Sequence, residues 1–136
     1  VTAEFLLDTN VISEPLRPYP DSKVLKQLKK HHLRLAIPSV VWHELLVGCY
    51  RLPASQKRSA IERYLKEVCL PILPYDSEAA QWHAIHRVRL STMGLTPPFI
   101  DGQIASIAAV NKLTLITFNT KDFKHFQDLS VADWRL

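Results

Sequence analysis

Asp8 closes the apolar run Phe5-Leu6-Leu7 and is followed by Thr9 and Asn10, a hydroxyl and an amide. The run reads as a short buried strand, so Asp8 falls at its carboxyl end, where open α/β sheets place their ligand crevices. Further along, Glu44 lies early in an apolar helix, Asp101 in the first turn of another, and Asp122 just beyond a β-branched run. Taken singly, Asp8 has the plain use of capping a helix and Asp101 of answering a helix dipole. Glu44 is costly in a mostly buried helix unless charged or hydrogen-bonded partners compensate it. In a parallel sheet, strand ends and the helix starts that follow them share one edge, so the four carboxylates are expected to meet. An oxygen set without Cys and without an obvious His suits Mg²⁺ or Mn²⁺. Such an ion polarises a phosphoryl oxygen, lowers the pKa of an attacking water and stabilises the leaving oxygen. Without a cation, at least one carboxylate pKa should rise.

The surrounding pattern supplies the elements that would position these groups. Asn10 is expected to cap a helix from Val11, with Pro15 ending or kinking it. Beyond a proline-punctuated loop, Asp21 or Ser22 starts a helix to about His32, burying Val24, Leu25 and Leu28. Its other side carries Lys23, Lys26, Lys29 and Lys30, read here as a solvated face. A strand is expected over 33–37, broken by Pro38, with Ser39 capping a helix from Val40 to about Tyr50. Further helices are expected over 54–68, from Asp76 or Ser77 to about Met93, and over 99–111 behind Pro98. The last of these has Ile100, Ile104, Ile107 and Ala108 as its apolar face. Segment 71–75 reads as extended, 113–117 as a β-branched strand, and 130–134 as a last short strand. This alternation predicts an α/β fold with helices on both faces of a mostly parallel sheet.

Composition narrows the function classes. The 136 residues are expected to form one domain, 1–136. Apolar residues at 47% and charged residues at 22% match an ordinary globular protein. No apolar run reaches membrane-spanning length and no signal-peptide pattern is visible, so a cytoplasmic protein without membrane contact is expected. Three glycines build neither a dinucleotide fingerprint nor a phosphate-binding loop. Cys49 and Cys69 fall in apolar helical patterns without zinc spacing and are expected as buried, reduced thiols. His83 and His86 sit three apart on a helix but have no third ligand at matching local spacing, which favours a structural role. The net charge of +4 favours polyanionic partners such as nucleic acid.

Four segments together resemble a known family. Leu7-Asp8-Thr9-Asn10, Ser39 with Glu44, Ile100-Asp101-Gly102-Gln103-Ile104-Ala105 and Thr117-Phe118-Asn119-Thr120-Lys121-Asp122-Phe123 look like the four motifs of the PIN-domain ribonucleases. More narrowly, the chain is similar to the VapC-type toxins of bacterial toxin–antitoxin pairs. The continuation Val11-Ile12-Ser13-Glu14-Pro15-Leu16-Arg17-Pro18 is like the FitB-like branch. The resemblance spans nearly the whole chain in the right order. It implies a three-layer α/β/α fold and a Mg²⁺- or Mn²⁺-dependent endoribonuclease that leaves 5′-phosphate and 3′-hydroxyl ends, often on tRNA or another structured RNA. It makes Asp8, Glu44 and Asp101 the core acidic ligands and Thr9 a hydroxyl that orients a ligand or water. Asn119 stands where many members carry Asp, which leaves Asp122 as the candidate fourth carboxylate. It further implies a VapB-like antitoxin, a homodimer, and DNA contact only through the antitoxin.

Other classes fit less well. A haloacid-dehalogenase-like phosphatase wants a second Asp two residues after Asp8, where Asn10 stands, and a receiver domain wants an acidic pair near the first strand. A partner-bound protein acting mainly in a DNA-binding regulatory complex is the alternative outside enzymes. A non-toxin RNA-processing PIN nuclease is the alternative within them.

Overall fold

The computed structural model describes residues 2–136. Their strands are β1 (Phe5–Leu7), β2 (Leu35–Pro38), β3 (Ile72–Leu73), β4 (Thr114–Ile116) and β5 (Ser130–Ala132), joined in the order β3-β2-β1-β4-β5. Every pairing is parallel. Leu6, Leu7, Leu115 and Ile116 are fully buried, as consecutive apolar residues must be in a sheet covered on both faces.

The helices are α1 (Thr9–Ile12), α2 (Ser22–Lys30), α3 (Ser39–Tyr50), α4 (Gln56–Val68), α5 (Ser77–Thr92) and α6 (Phe99–Val110). Right-handed crossovers place α1 to α4 on one face as the chain steps from β1 to β2 to β3. The return from β3 to β4 carries α5 and α6 over the other face. The result is the three-layer α/β/α arrangement. Connections leave β1 and β4 in opposite directions, so the gap between their carboxyl ends is a topological switch point, where such sheets hold ligands.

Several local expectations are corrected. Helix α1 starts earlier than expected: Asp8, not Asn10, is its N-cap, accepting the Thr9 N–H at 2.8 Å. Pro38 is the last residue of β2 and the N-cap position of α3, so Ser39 is already helical. Segment 32–34 is a 3₁₀ turn rather than strand. Ile100 is 46% exposed, because α6 turns it away from the core that takes Ile104 and Ile107. Cys69 is exposed as well. It ends α4 in a left-handed conformation, φ 41°, and so leaves the apolar face that buries Cys49.

Close packing of α5 on α6 fixes the position of Asp101. A Cβ on Gly102 would lie 2.0 Å from His83 Nε2, so only glycine admits the imidazole there. Tyr75 Oη meets His83 Nδ1 at 2.8 Å and holds the ring. Burial, and then the Arg87 charge, lowers the His83 pKa and favours the neutral ring. His86 stacks on Trp82 at 3.9 Å. Both histidines are therefore packed side chains. No described helix is long and apolar enough to cross a membrane.

Candidate active site

Asp8 sits in register with Thr117 across the switch point, since Leu7 pairs with Ile116 and the Asp8 N–H donates to the Ile116 carbonyl at 3.0 Å. Both carboxylate oxygens of Asp8 are engaged. Oδ1 accepts from the Thr9 N–H and Oδ2 from the Thr117 hydroxyl, each at 2.8 Å. Thr9 Oγ1 donates to Glu44 Oε2 at 3.0 Å, which ties the first turn of α1 to α3. On the other side, the Asn119 N–H donates to Thr117 Oγ1 at 3.1 Å. Glu44, Thr9, Asp8, Thr117 and Asn119 thus form one hydrogen-bonded line along the sheet edge.

Asp101 and Asp122 complete the acidic group electrostatically. Burial pushes the Asp101 carboxyl up to about 6, aided by the charges of Asp122, Asp8 and Glu44, in that order. This is the raised carboxylate expected of mutual repulsion among like charges. Asp122 lies exposed in the 3₁₀ turn Thr120–Phe123. Its N–H reaches the Asn119 carbonyl at 3.0 Å. The Asn119 side chain is exposed and makes no cap bond. Of the two, Asp122 is the one that carries a charge, and that charge adds to the rise of the Asp101 pKa.

The donor set is open rather than a cage. Among the described residues, no three Asp, Glu, His or Cys side chains form a ready-made metal cage. Mg²⁺ keeps several waters and is held by one or two carboxylates plus substrate phosphates, so it does not require such a cage. Burial does most to raise the Asp101 pKa, and the charges of Asp122, Asp8 and Glu44 add to it; a cation would offset that second part, so the residues present fit such an ion.

Three contributors were missed in the sequence. Thr117 opens the fourth motif and ends a strand in the sequence reading but has no site role there; a hydroxyl at the carboxyl end of a strand beside Asp8 is the available signal. Glu14 is 1% exposed and accepts from Arg17 Nη1 at 3.1 Å and from the Asp21 N–H at 3.1 Å. Like Glu44, it is a carboxylate among apolar neighbours that needs partners, and that need was its signal. Arg135 donates to the Phe118 carbonyl at 3.0 Å and gave no sequence signal.

The chain belongs to the PIN-domain family, whose model, described as "PIN domain", matches residues 5–129. It is similar to the toxin FitB of Neisseria gonorrhoeae, 36% identical over 124 residues that cover 87% of this chain and 89% of the relative. It is also similar to the ribonuclease VapC2 of Rickettsia felis, 30% identical over 133 residues, or 96% of this chain and 97% of the relative. Among solved structures, FitAcB from Neisseria gonorrhoeae superposes with a TM-score of 0.87 at 32% identity. The match covers 96% of this chain and 97% of that one.

Proposed function

We propose that this chain is a Mg²⁺- or Mn²⁺-dependent endoribonuclease toxin that hydrolyses phosphodiester bonds in tRNA or another structured RNA. It acts in the cytoplasm and is neutralised by a cognate VapB-like antitoxin. The observation that carries the reading is the hydrogen-bonded line of Glu44, Thr9, Asp8 and Thr117 at the switch point of the sheet, with the Asp101 carboxyl close enough to feel the charges of Asp8 and Glu44. The names of two relatives, a toxin and a ribonuclease, support it.

In this reading Asp8, Glu44, Asp101 and Asp122 are the candidate ligands, one or two of them binding the ion directly and the others through its waters. The bound ion would supply Lewis-acid activation of the phosphoryl group and a more acidic water. Thr9 holds the Glu44 carboxylate and Thr117 the Asp8 carboxylate, so neither side chain must reorient when substrate arrives. A groove lined by Trp42, Leu46, Cys49, Tyr50, Leu65 and Lys66, between α3 and α4, offers an apolar seat for an antitoxin segment. Exposed Ile85, Val88 and Met93 on or beside α5, with Phe99 on α6, support a second copy of the chain as their cover.

The test is incubation of the purified, antitoxin-free chain with end-labelled tRNA. Cleavage is expected with Mg²⁺ or Mn²⁺, and none in chelator or with Asp8→Asn. Undiminished cleavage in chelator would overturn the metal-dependent reading.

A further inference from the structure

Beside the carboxylate edge lies a second cleft of about 350 Å³, lined by Asn10, Ser13, Glu14, Arg17, Phe118, Asn119 and Arg135. Its volume falls within the range of small-ligand sites. It adjoins the acidic edge: the N–H of its lining residue Asn119 donates to Thr117 Oγ1, which in turn donates to Asp8 Oδ2. Asn10 follows Thr9 on α1, and Phe118-Asn119 follows Thr117 after β4. A strand of polymer lying across Asp8 would run into it.

The charges here are sorted by depth. Glu14 is 1% exposed by side chain, while its partner Arg17 is 65% exposed. Asp133 is 7% exposed, while its partner Arg135 is 44% exposed. In each pair the carboxylate stands behind and the guanidinium in front, so the open face of the cleft is cationic although the charges balance. Both guanidiniums keep unused donors among the described residues. Glu14 engages only Nη1 of Arg17, and Arg135 Nη1 has no protein acceptor. A guanidinium oriented by a carboxylate loses less freedom when it grips a phosphate.

An aromatic surface completes the cleft. The Arg135 guanidinium lies 4.3 Å from the Phe118 ring centroid, and the Arg135 Nη2–H donates to the Phe118 carbonyl. Aromatic rings and guanidinium planes are the surfaces on which unpaired bases stack, and the amides of Asn10 and Asn119 can donate to and accept from base edges or a 2′-hydroxyl.

We propose that this cleft binds the nucleotide that flanks the scissile phosphodiester, with Arg17 and Arg135 on its phosphate and the Phe118–Arg135 pair against its base. This deepens the ribonuclease reading and rests on it. The hydrogen-bond link from the cleft to Asp8 and the guanidiniums at its open face favour a substrate strand over a protein segment.

The test uses the full, antitoxin-free chain in chelator, titrated against a fluorescein-labelled single-stranded RNA decamer and read by fluorescence anisotropy across a salt series. Arg17→Gln and Arg135→Gln are each expected to weaken binding about five- to tenfold. Each should also flatten the slope of log K against log salt by about 0.7 for every phosphate that is no longer neutralised. Phe118→Leu is expected to weaken binding about fivefold with the salt slope unchanged, because stacking releases no counterions. Lys23→Ala on α2, outside the cleft, serves as the control and should change neither quantity beyond the loss of general charge.

Folded variants that bind RNA with wild-type affinity and slope overturn the subsite, while cleavage by the unmodified chain leaves the ribonuclease reading standing. Binding through the cleft without any cleavage supports the subsite and sinks the enzyme. Variants that keep RNA but lose the antitoxin overturn the proposal in favour of a protein partner. Should Arg17→Gln fail to fold because Glu14 is stranded in the core, Phe118→Leu and Arg135→Gln decide the matter alone.

Discussion

The Thr117 hydroxyl donates to Asp8 Oδ2 at 2.8 Å across 109 positions of sequence, and the Asn119 N–H donates back to the same hydroxyl at 3.1 Å. One buried side chain therefore joins the first and fourth acidic motifs. Thr117→Val keeps the shape of the strand and removes both bonds. A hydrogen bond to a charged group contributes roughly 1.5–3 kcal/mol, so kcat/KM on RNA should fall at least about tenfold. Near-unchanged circular dichroism would show that the sheet survives. Wild-type kcat/KM would show that Asp8 needs no such support.

The fourth acidic position is divided between an amide and a carboxylate. After burial, the Asp122 charge does most to raise the Asp101 pKa, whereas Asn119 carries no charge. Asp122→Asn should weaken Mn²⁺ binding in a calorimetric titration, and Asn119→Asp should strengthen it. If neither changes the titration or the cleavage rate, the segment after β4 serves structure alone.

Asp101 makes a specific pH signature. Its folded pKa of about 6 lies above the ordinary value of 3.8. The fold therefore binds this proton more tightly than the unfolded chain does. The resulting stability is present below about pH 4 and is lost as pH rises through about 6. In metal-free protein, Asp101→Asn should flatten the decline in unfolding midpoint across that window. Metal binding requires the ionised form, so at about pH 5.5 Mn²⁺ should displace a proton, measured by calorimetry in buffers of different ionisation enthalpy. Binding without proton release under those conditions would separate Asp101 from the ion.

The helix packing at Gly102 should be intolerant of the smallest side chain. Gly102→Ala drives a methyl to 2.0 Å from His83 Nε2, and the ring cannot swing away freely because Tyr75 holds it. A loss of roughly 1–3 kcal/mol is expected in denaturant melts. His83→Ala in the same chain should return part of it, since the collision is gone. Loss of the same size with and without His83 would locate the strain elsewhere.

The groove between α3 and α4 makes the antitoxin interaction testable. Trp42→Ser with Leu46→Ser removes apolar surface that lines it without touching the carboxylates. Affinity for the antitoxin should fall by an order of magnitude or more in surface plasmon resonance, while RNA cleavage by the free chain persists. Unaltered affinity would place the antitoxin on another surface.

How much was legible in the sequence follows from the range of the forces involved. Apolar runs ending in Asp8 and Thr117, proline at the start of α6 and acidic caps at α2 and α5 are local signals, and they set the strands, helices and parallel order. The acidic residue types and their place at strand ends pointed to an oxygen-ligand site for the same reason. Tertiary structure decided which groups touch. It alone brought Thr9 to Glu44 and Thr117 to Asp8, and it turned Ile100 outward and ended α4 at a left-handed Cys69. Glu14 and Arg135 show the limit most plainly. Glu14 is isolated in the N-terminal segment and Arg135 lies one residue from the C-terminus, yet the two line one cleft. Spacing along a chain cannot encode that meeting, because it depends on the order in which β1, β4 and β5 lie across the sheet.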